Sequence, residues 1–294
     1  MQISLGTAKI GMNYGITSRN KPISNKDLLR IFLFLKKNKI KSLDISPLYG
    51  NLFSRIKQFN LKNLKITYKI YVDKKKFSKN KIYDQIASDL SSLNLKKFET
   101  ILIHNTHEVN KIKLNKTLST LKQLKKIGLV KNVGVSIYEK KEYKKISSKI
   151  KIDVIQVPLN VFDQRLLHNN WLFKESKKRN IEIQVRSIFL QGILLCNIKK
   201  FQKNFLIKYP VIKQWNEFCN NLSNSKLINS INFIKNQKYI KKIIIGFEDL
   251  NQLKENYKIM KNITKKVDYS NFSNKSLNLI DPRKWDNTKI LIHK

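Results

Sequence analysis

The feature that most constrains this chain is a regular alternation of two apolar patterns. Short β-type runs occupy residues 3–7, 43–44, 64–69, 100–104, 132–136, 154–158, 181–186 and 240–245. Between them lie segments whose apolar residues recur at helical spacing. Ser24 and Asp27 offer capping groups ahead of Leu28, Leu29, Ile31, Phe32 and Leu35, and Ile82, Ile86, Leu90 and Leu93 form one face of a helix over 79–93. Further helices are expected over 51–59, 112–127 (closed by Gly128), 139–147, 165–179 and 249–260. The longer stretch 187–239 reads as two helices, near 211–219 and 226–236. Eight βα units with strands buried on both faces predict a (β/α)₈ TIM barrel, although six or seven units of an open doubly wound sheet would look similar. No linker interrupts the 294 residues. A single domain over 1–294 is expected, with 270–294, rich in Asn and Lys, as a C-terminal tail over the barrel.

Charge bears on the partners. Lys+Arg number 60 against Asp+Glu 20, a formal net charge of +40. These lysines are dispersed and accompany abundant Asn and Ile, a pattern that nucleotide bias produces without functional demand. No nucleic-acid motif goes with them, so salt-sensitive sticking is expected and specific nucleic-acid binding is not. Cys196 and Cys219 show neither a disulfide framework nor metal spacing, and the chain starts without a basic leader. The most apolar window, 31–35, is far shorter than the roughly 20 residues a bilayer needs. A cytoplasmic protein that does not enter membranes is expected, and composition does not fix its oligomeric state.

Three successive strands end in ionisable residues, Asp44, Lys69 and His104, and Tyr49 follows Asp44 on a loop broken by Pro47 and Gly50. In a barrel all strand ends meet at one mouth, which would gather Asp44, Lys69, His104, Ser136, Gln156 and Arg186. A tyrosine hydroxyl titrates near pH 10 when unperturbed, and a nearby ammonium lowers that value while a carboxylate fixes the ammonium. Tyr49, Lys69 and Asp44 can thus be acid, tuner and anchor. Other assignments stay open: a structural Asp44–Lys69 pair, a metal at His104 and His107 lacking a third ligand, or a Schiff base on Lys69 as in barrel aldolases.

These residues and their spacing resemble the aldo-keto reductase superfamily, whose Asp, Tyr, Lys and His tetrad sits on consecutive strand ends. Asp44-Ile-Ser-Pro-Leu-Tyr-Gly50 is similar to the family's Asp-Thr-Ala-x-x-Tyr-Gly, Lys69 falls on its lysine, and Leu102-Ile-His104 on its Leu-Ile-His. The run 126–136, ending Gly-Val-Ser, Gln156 to Asn160, Arg186 to Gly192, and Glu255-Asn256 continue the series in family order. The resemblance implies metal-free, NAD(P)(H)-dependent reduction of a small carbonyl substrate, with Asp44, Tyr49, Lys69 and His104 catalytic. It places the nicotinamide amide near Ser136 and Gln156, with Arg186 and Asp44 beside the ring. Gly6 and Thr7 would flank the ribose, Ser187, Leu190 and Gly192 the pyrophosphate, Gly246, Phe247 and Gln252 the 2′ region, and Glu255 and Asn256 the adenine.

Four departures from the family pattern involve five positions. Ala8 replaces a tryptophan, Ile137 an asparagine beside the carboxamide, and Arg186 the aromatic residue that stacks on nicotinamide. Gly246 and Gln252 stand where basic residues bind the 2′-phosphate of NADP, leaving Lys254 as the nearest cation, so NAD and NADP both remain open. A cofactor-binding regulatory protein with little or no turnover is the alternative on the same fold.

Overall fold

Parallel strands need a crossover after each strand, and helices packed on the outside of such a sheet leave its strands as near-continuous apolar runs. A computed structural model describes residues 1–17, 22–73, 77–222, 224–262 and 266–291. Its eight strands form a closed barrel in sequential order, every neighbouring pair parallel. The order is β1 (Gln2–Gly6), α1 (Ala8–Gly11), α2 (Asn25–Lys37), β2 (Ser42–Ile45), α3 (Leu52–Ile56), β3 (Lys65–Ile70), α4 (Lys79–Ser92), β4 (Phe98–Ile103), α5 (Lys111–Lys126), β5 (Val130–Ser136), α6 (Lys140–Lys144), β6 (Val154–Pro158), α7 (Trp171–Arg179), β7 (Glu182–Arg186), α8 (Lys203–Lys208), α9 (Val211–Asn221), α10 (Lys226–Lys235), β8 (Ile240–Ile245), α11 (Leu250–Asn262) and α12 (Leu277–Ile280). Pairing of Gln2 with Lys242 through Leu5 with Ile245 closes the ring and excludes the open sheet.

Alternation along each strand separates two environments. Leu43, Ile45, Ile66, Tyr68, Ile101, Ile103, Val133, Val135, Ile155, Val157, Ile183 and Val185 are buried and belong to the apolar core shared with the helices. Most intervening positions are polar and equally buried, including Ser4, Ser42, Thr67, Thr100, Gln156 and Gln184, with Leu102 an apolar exception. Some of them pair inside: Ser42 Oγ donates to Ser4 Oγ at 3.0 Å, and Gln184 Nε2 donates to Glu182 Oε1 at 2.9 Å, whereas Thr67 Oγ1 has no partner. Most apolar burial therefore lies between sheet and helices, at about 1.5–3 kcal/mol per large aliphatic side chain.

The helices begin where short polar side chains satisfy free backbone N–H groups. Ser24 Oγ accepts from Asp27 N at 3.1 Å, Asn110 Oδ1 from Lys113 N at 2.9 Å and Ser225 Oγ from Ile228 N at 3.2 Å. Several helices are shorter than their apolar spacing predicts. The segment expected to be helical from 165 starts at Trp171, because Asn170 adopts a left-handed φ of 53°. The stretch 187–239 holds α8 and two 3₁₀ turns, Leu190–Leu195 and Ile198–Lys200, besides the two expected helices. Segments this short carry too little periodicity to be read from sequence.

Residues 271–291 pack on the barrel. Asn274 N donates to Phe162 O at 2.9 Å, Gln202 Nε2 donates to Leu291 O at 3.1 Å, and Leu279 and Ile280 are buried. Asp281 accepts from Arg283 Nε at 2.8 Å and lies 3.7 Å from Arg165, which pairs with Asp163 at 2.9 Å. The tail thus reaches the mouth side through a chain of charges. Among the described residues no helix is long and apolar enough to cross a membrane.

Candidate active site

β2 and β3 deliver two opposite charges to the mouth. Asp44 and Lys69 are both buried, and Lys69 Nζ lies 2.6 Å from Asp44 Oδ1. The second carboxylate oxygen accepts from Gln156 Nε2 at 2.8 Å, across the barrel. Lys69 Nζ also donates to the Tyr49 hydroxyl, completing a carboxylate–ammonium–phenol chain. The Tyr49 loop is held by its own turn: Tyr49 N donates to Ser46 O at 3.1 Å, Ser46 Oγ donates to Lys69 O at 3.0 Å, and Asn51 N donates to Gly11 O at 3.1 Å. His104 lies one residue past β4, its N–H donating to Ile70 O at 2.9 Å. Its ring stands edge-on to Tyr49, centroids 6.3 Å apart.

Burial sets the protonation states. It pushes the Tyr49 phenol well above its usual value, with Asp44 adding to the rise and Arg186 opposing it. This corrects the lowering expected from the neighbouring ammonium: desolvation of the phenolate wins. Burial also takes His104 down to about 2, reinforced by the charges of Lys69 and Arg186. His104 is therefore neutral at neutral pH. Its Nδ1 is buried without a partner.

A cavity of about 910 Å³ opens above this chain. Of the residues expected at the site, Gly6, Thr7, Asp44, Tyr49, Lys69, Arg186, Ser187, Gly192, Gly246, Phe247 and Gln252 line it. Thr7 is also structural, its Oγ1 donating to Asp44 O at 2.7 Å. Gly192 has a φ of 99°, and an added Cβ would overlap Thr17 Oγ1, so only glycine lets these two walls meet. Glu255 and Asn256 line an adjoining cleft of about 460 Å³, which shares Leu195, Asn197 and Gln252 with the main cavity. Leu190 is fully buried in the apolar core. Ser136 and Gln156 are buried behind the cavity, where Arg186 Nε donates to Ser136 Oγ at 3.3 Å.

Three site residues escaped the sequence patterns. Tyr14 lines the cavity from the loop between α1 and α2. Tyr138, just after β5, lies under two guanidiniums: Arg186 Cζ is 4.2 Å and Arg283 Cζ 3.5 Å from its ring centroid. Arg283 comes from the tail, and no local pattern links it to residue 138. His107 lies 3.5 Å from Glu108, and among the described residues no group of three metal-type ligands is present.

The donor set fits a nicotinamide dinucleotide. The cavity falls in the size range of ligand sites. Gln156 Oε1 is a buried acceptor without a partner, suited to an amide N–H, and the 3₁₀ turn Leu190–Leu195 brings backbone and Gly192 to the rim.

A closed parallel barrel that joins Asp44, Lys69 and Tyr49 at one mouth, with His104 edge-on to Tyr49, defines a (β/α)₈ protein. The chain belongs to the aldo/keto reductase family, whose model matches residues 2–275. A comparison with curated proteins finds no match. Among solved structures, the holo form of the aldo-keto reductase AKR11C1 from Bacillus halodurans aligns with a TM-score of 0.72 at 16% identity, covering 97% of this chain and 95% of that one. The glycerol dehydrogenase AKR11B4 from Gluconobacter oxydans aligns with a TM-score of 0.67 at 15% identity, covering 90% and 87%. The thermostable aldo-keto reductase Tm1743, in complex with the inhibitor epalrestat, gives 0.65 at 18%, covering 90% and 91%. At these identities the likeness establishes the shared barrel.

Proposed function

We propose that this chain is an NAD(P)(H)-dependent oxidoreductase that reduces an aldehyde or ketone to the alcohol, with Tyr49 as proton donor. The observation that carries this is the Asp44–Lys69–Tyr49 chain, buried at one end and open to a ligand-sized cavity at the other. A bound nicotinamide dinucleotide supplies hydride to the carbonyl carbon. Tyr49, kept protonated by burial, gives its proton to the carbonyl oxygen. The phenolate that results faces the Lys69 ammonium, and Asp44 holds that ammonium in place. Neutral His104 orients the carbonyl oxygen by hydrogen bonding.

Gly6, Thr7, Ser187, Gly192, Gly246 and Phe247 would hold the dinucleotide along the cavity, and Gln252, Glu255 and Asn256 its adenosine end. The adenosine end brings one carboxylate and no arginine, which supports use of NAD as well as NADP. The chain is taken as one domain with 270–294 as its tail, acting in the cytoplasm.

The test is oxidation of NADH or NADPH against a panel of aldehydes. Tyr49→Phe should lower kcat by about 10²–10⁴-fold while dinucleotide affinity, read by fluorescence titration, stays unchanged. Full activity in that variant would remove Tyr49 as the acid. Tight dinucleotide binding with no turnover of any carbonyl would instead support a regulatory, cofactor-binding role.

A further inference from the structure

The charges lining the main cavity do not balance. Asp44 is matched by Lys69 at 2.6 Å and Glu248 by Lys9 at 3.4 Å. Arg186, Lys199 and Lys200 have no carboxylate within 4.0 Å among the described residues. The two lysines are exposed and keep their hydration. Arg186 is half-buried, and a guanidinium withdrawn from water without a counter-ion is costly. Its partners are all neutral: Ser136 Oγ at 3.3 Å, Ser187 Oγ at 3.4 Å, and Tyr138, whose ring lies 4.2 Å away.

The second guanidinium on that ring makes the contrast. Arg283 stacks 3.5 Å from the Tyr138 centroid, and Asp281 neutralises it through two bonds, Nε–Oδ1 at 2.8 Å and Nη2–Oδ2 at 2.5 Å. The protein supplies a carboxylate fork for one arginine and none for the other. The unmatched one shares the cavity with Tyr49 and is the cation that draws the Tyr49 pKa downward, so its charge is felt where a carbonyl oxygen would be protonated.

We propose that Arg186 is a specificity residue that takes the carboxylate of the substrate, so that the chain prefers oxo acids over neutral aldehydes and ketones. This rests on the reductase function proposed above. A planar fork suits bidentate carboxylate recognition, and Ser136, Ser187 and Tyr138 fix its plane from the protein side. The role differs from stacking beneath a nicotinamide ring, which needs a flat surface and no anion.

The experiment compares 4-oxobutanoate, its methyl ester and butanal as substrates of the full chain, with either dinucleotide. The wild type should favour 4-oxobutanoate over the ester in kcat/KM by about tenfold to a hundredfold, mainly through KM. Arg186→Met should collapse that ratio toward one, and Arg186→Lys should restore part of it. Calorimetry with 4-hydroxybutanoate and butanol, on the dinucleotide-bound protein, reads the same anchor without turnover: only the acid should bind the wild type, and Arg186→Met should lose it. Equal kcat/KM for acid and ester in the wild type overturns the proposal. So does an Arg186→Met variant that loses all three substrates equally along with dinucleotide affinity, which would assign Arg186 to the cofactor. Failure to reduce any of the three while 4-hydroxybutanoate binds through Arg186 would sink the reductase function and keep the anion site.

Discussion

At the scale of single residues, His104 shows how burial redefines a side chain that sequence presents as titratable. Its ordinary pKa near 6.5 would make it a switch at neutral pH, yet desolvation with Lys69 and Arg186 nearby brings it down to about 2. Tyr49 moves the other way and keeps its proton beyond its usual range. Neither group then changes charge between about pH 5 and pH 9, since one is deprotonated far below that window and the other far above it. The kcat/KM for reduction should be flat across the window, with loss only at more alkaline pH as Tyr49 ionises. A break near 6.5 in the pH–rate profile would show a titrating His104 and contradict its neutral role. That Asp44, Lys69 and His104 fall at successive strand ends was legible because each closes an apolar run, with Tyr49 on the loop that follows Asp44. Their protonation was not, because it depends on neighbours brought from other strands.

At the scale of elements, the strand ends and the longer helices such as α4, α5, α10 and α11 are legible to within a residue or two, while the short helices are not. A strand buried on both faces announces itself by its apolar run, whereas α3 and α6 span five residues each and show barely one turn of periodicity. The loop carrying Tyr49 depends on α1 in a way no local pattern shows. A Cβ added at Gly11 would overlap Tyr49 O and stand 2.7 Å from Leu52 N, both backbone atoms that cannot swing aside. Gly11→Ala should therefore displace Tyr49, destabilise the fold by about 1–3 kcal/mol and depress activity. Gly128→Ala is the comparison: its φ of 82° costs stability, but nothing lies within 4 Å of the new methyl and the site is untouched. Thermal melts and kcat on both variants separate the two cases; equal activity in both would mean that α1 does not position the loop.

At the scale of the whole molecule, a net charge of +40 repels itself. Raising salt from about 0.01 M to 0.1 M shortens the screening length from about 30 Å to about 10 Å, so the melting midpoint should rise over that range. A midpoint that falls or stays constant would mean that ion pairs such as Lys125–Asp153, at 2.7 Å, outweigh the repulsion. The sequence by itself determined the alternation of strand and helix, the eight units and the residue types at the mouth, because periodicity, caps and strand-end chemistry are local. Only the tertiary structure decided that the sheet closes, through β1 on β8, and that Gln156 reaches Asp44 from 112 residues away. It alone turned Arg186 onto Ser136 and Tyr138 and brought Arg283 with its own carboxylate beside it. Contacts between distant segments leave no periodic trace in the chain, and in this protein they set which charges at the mouth are satisfied.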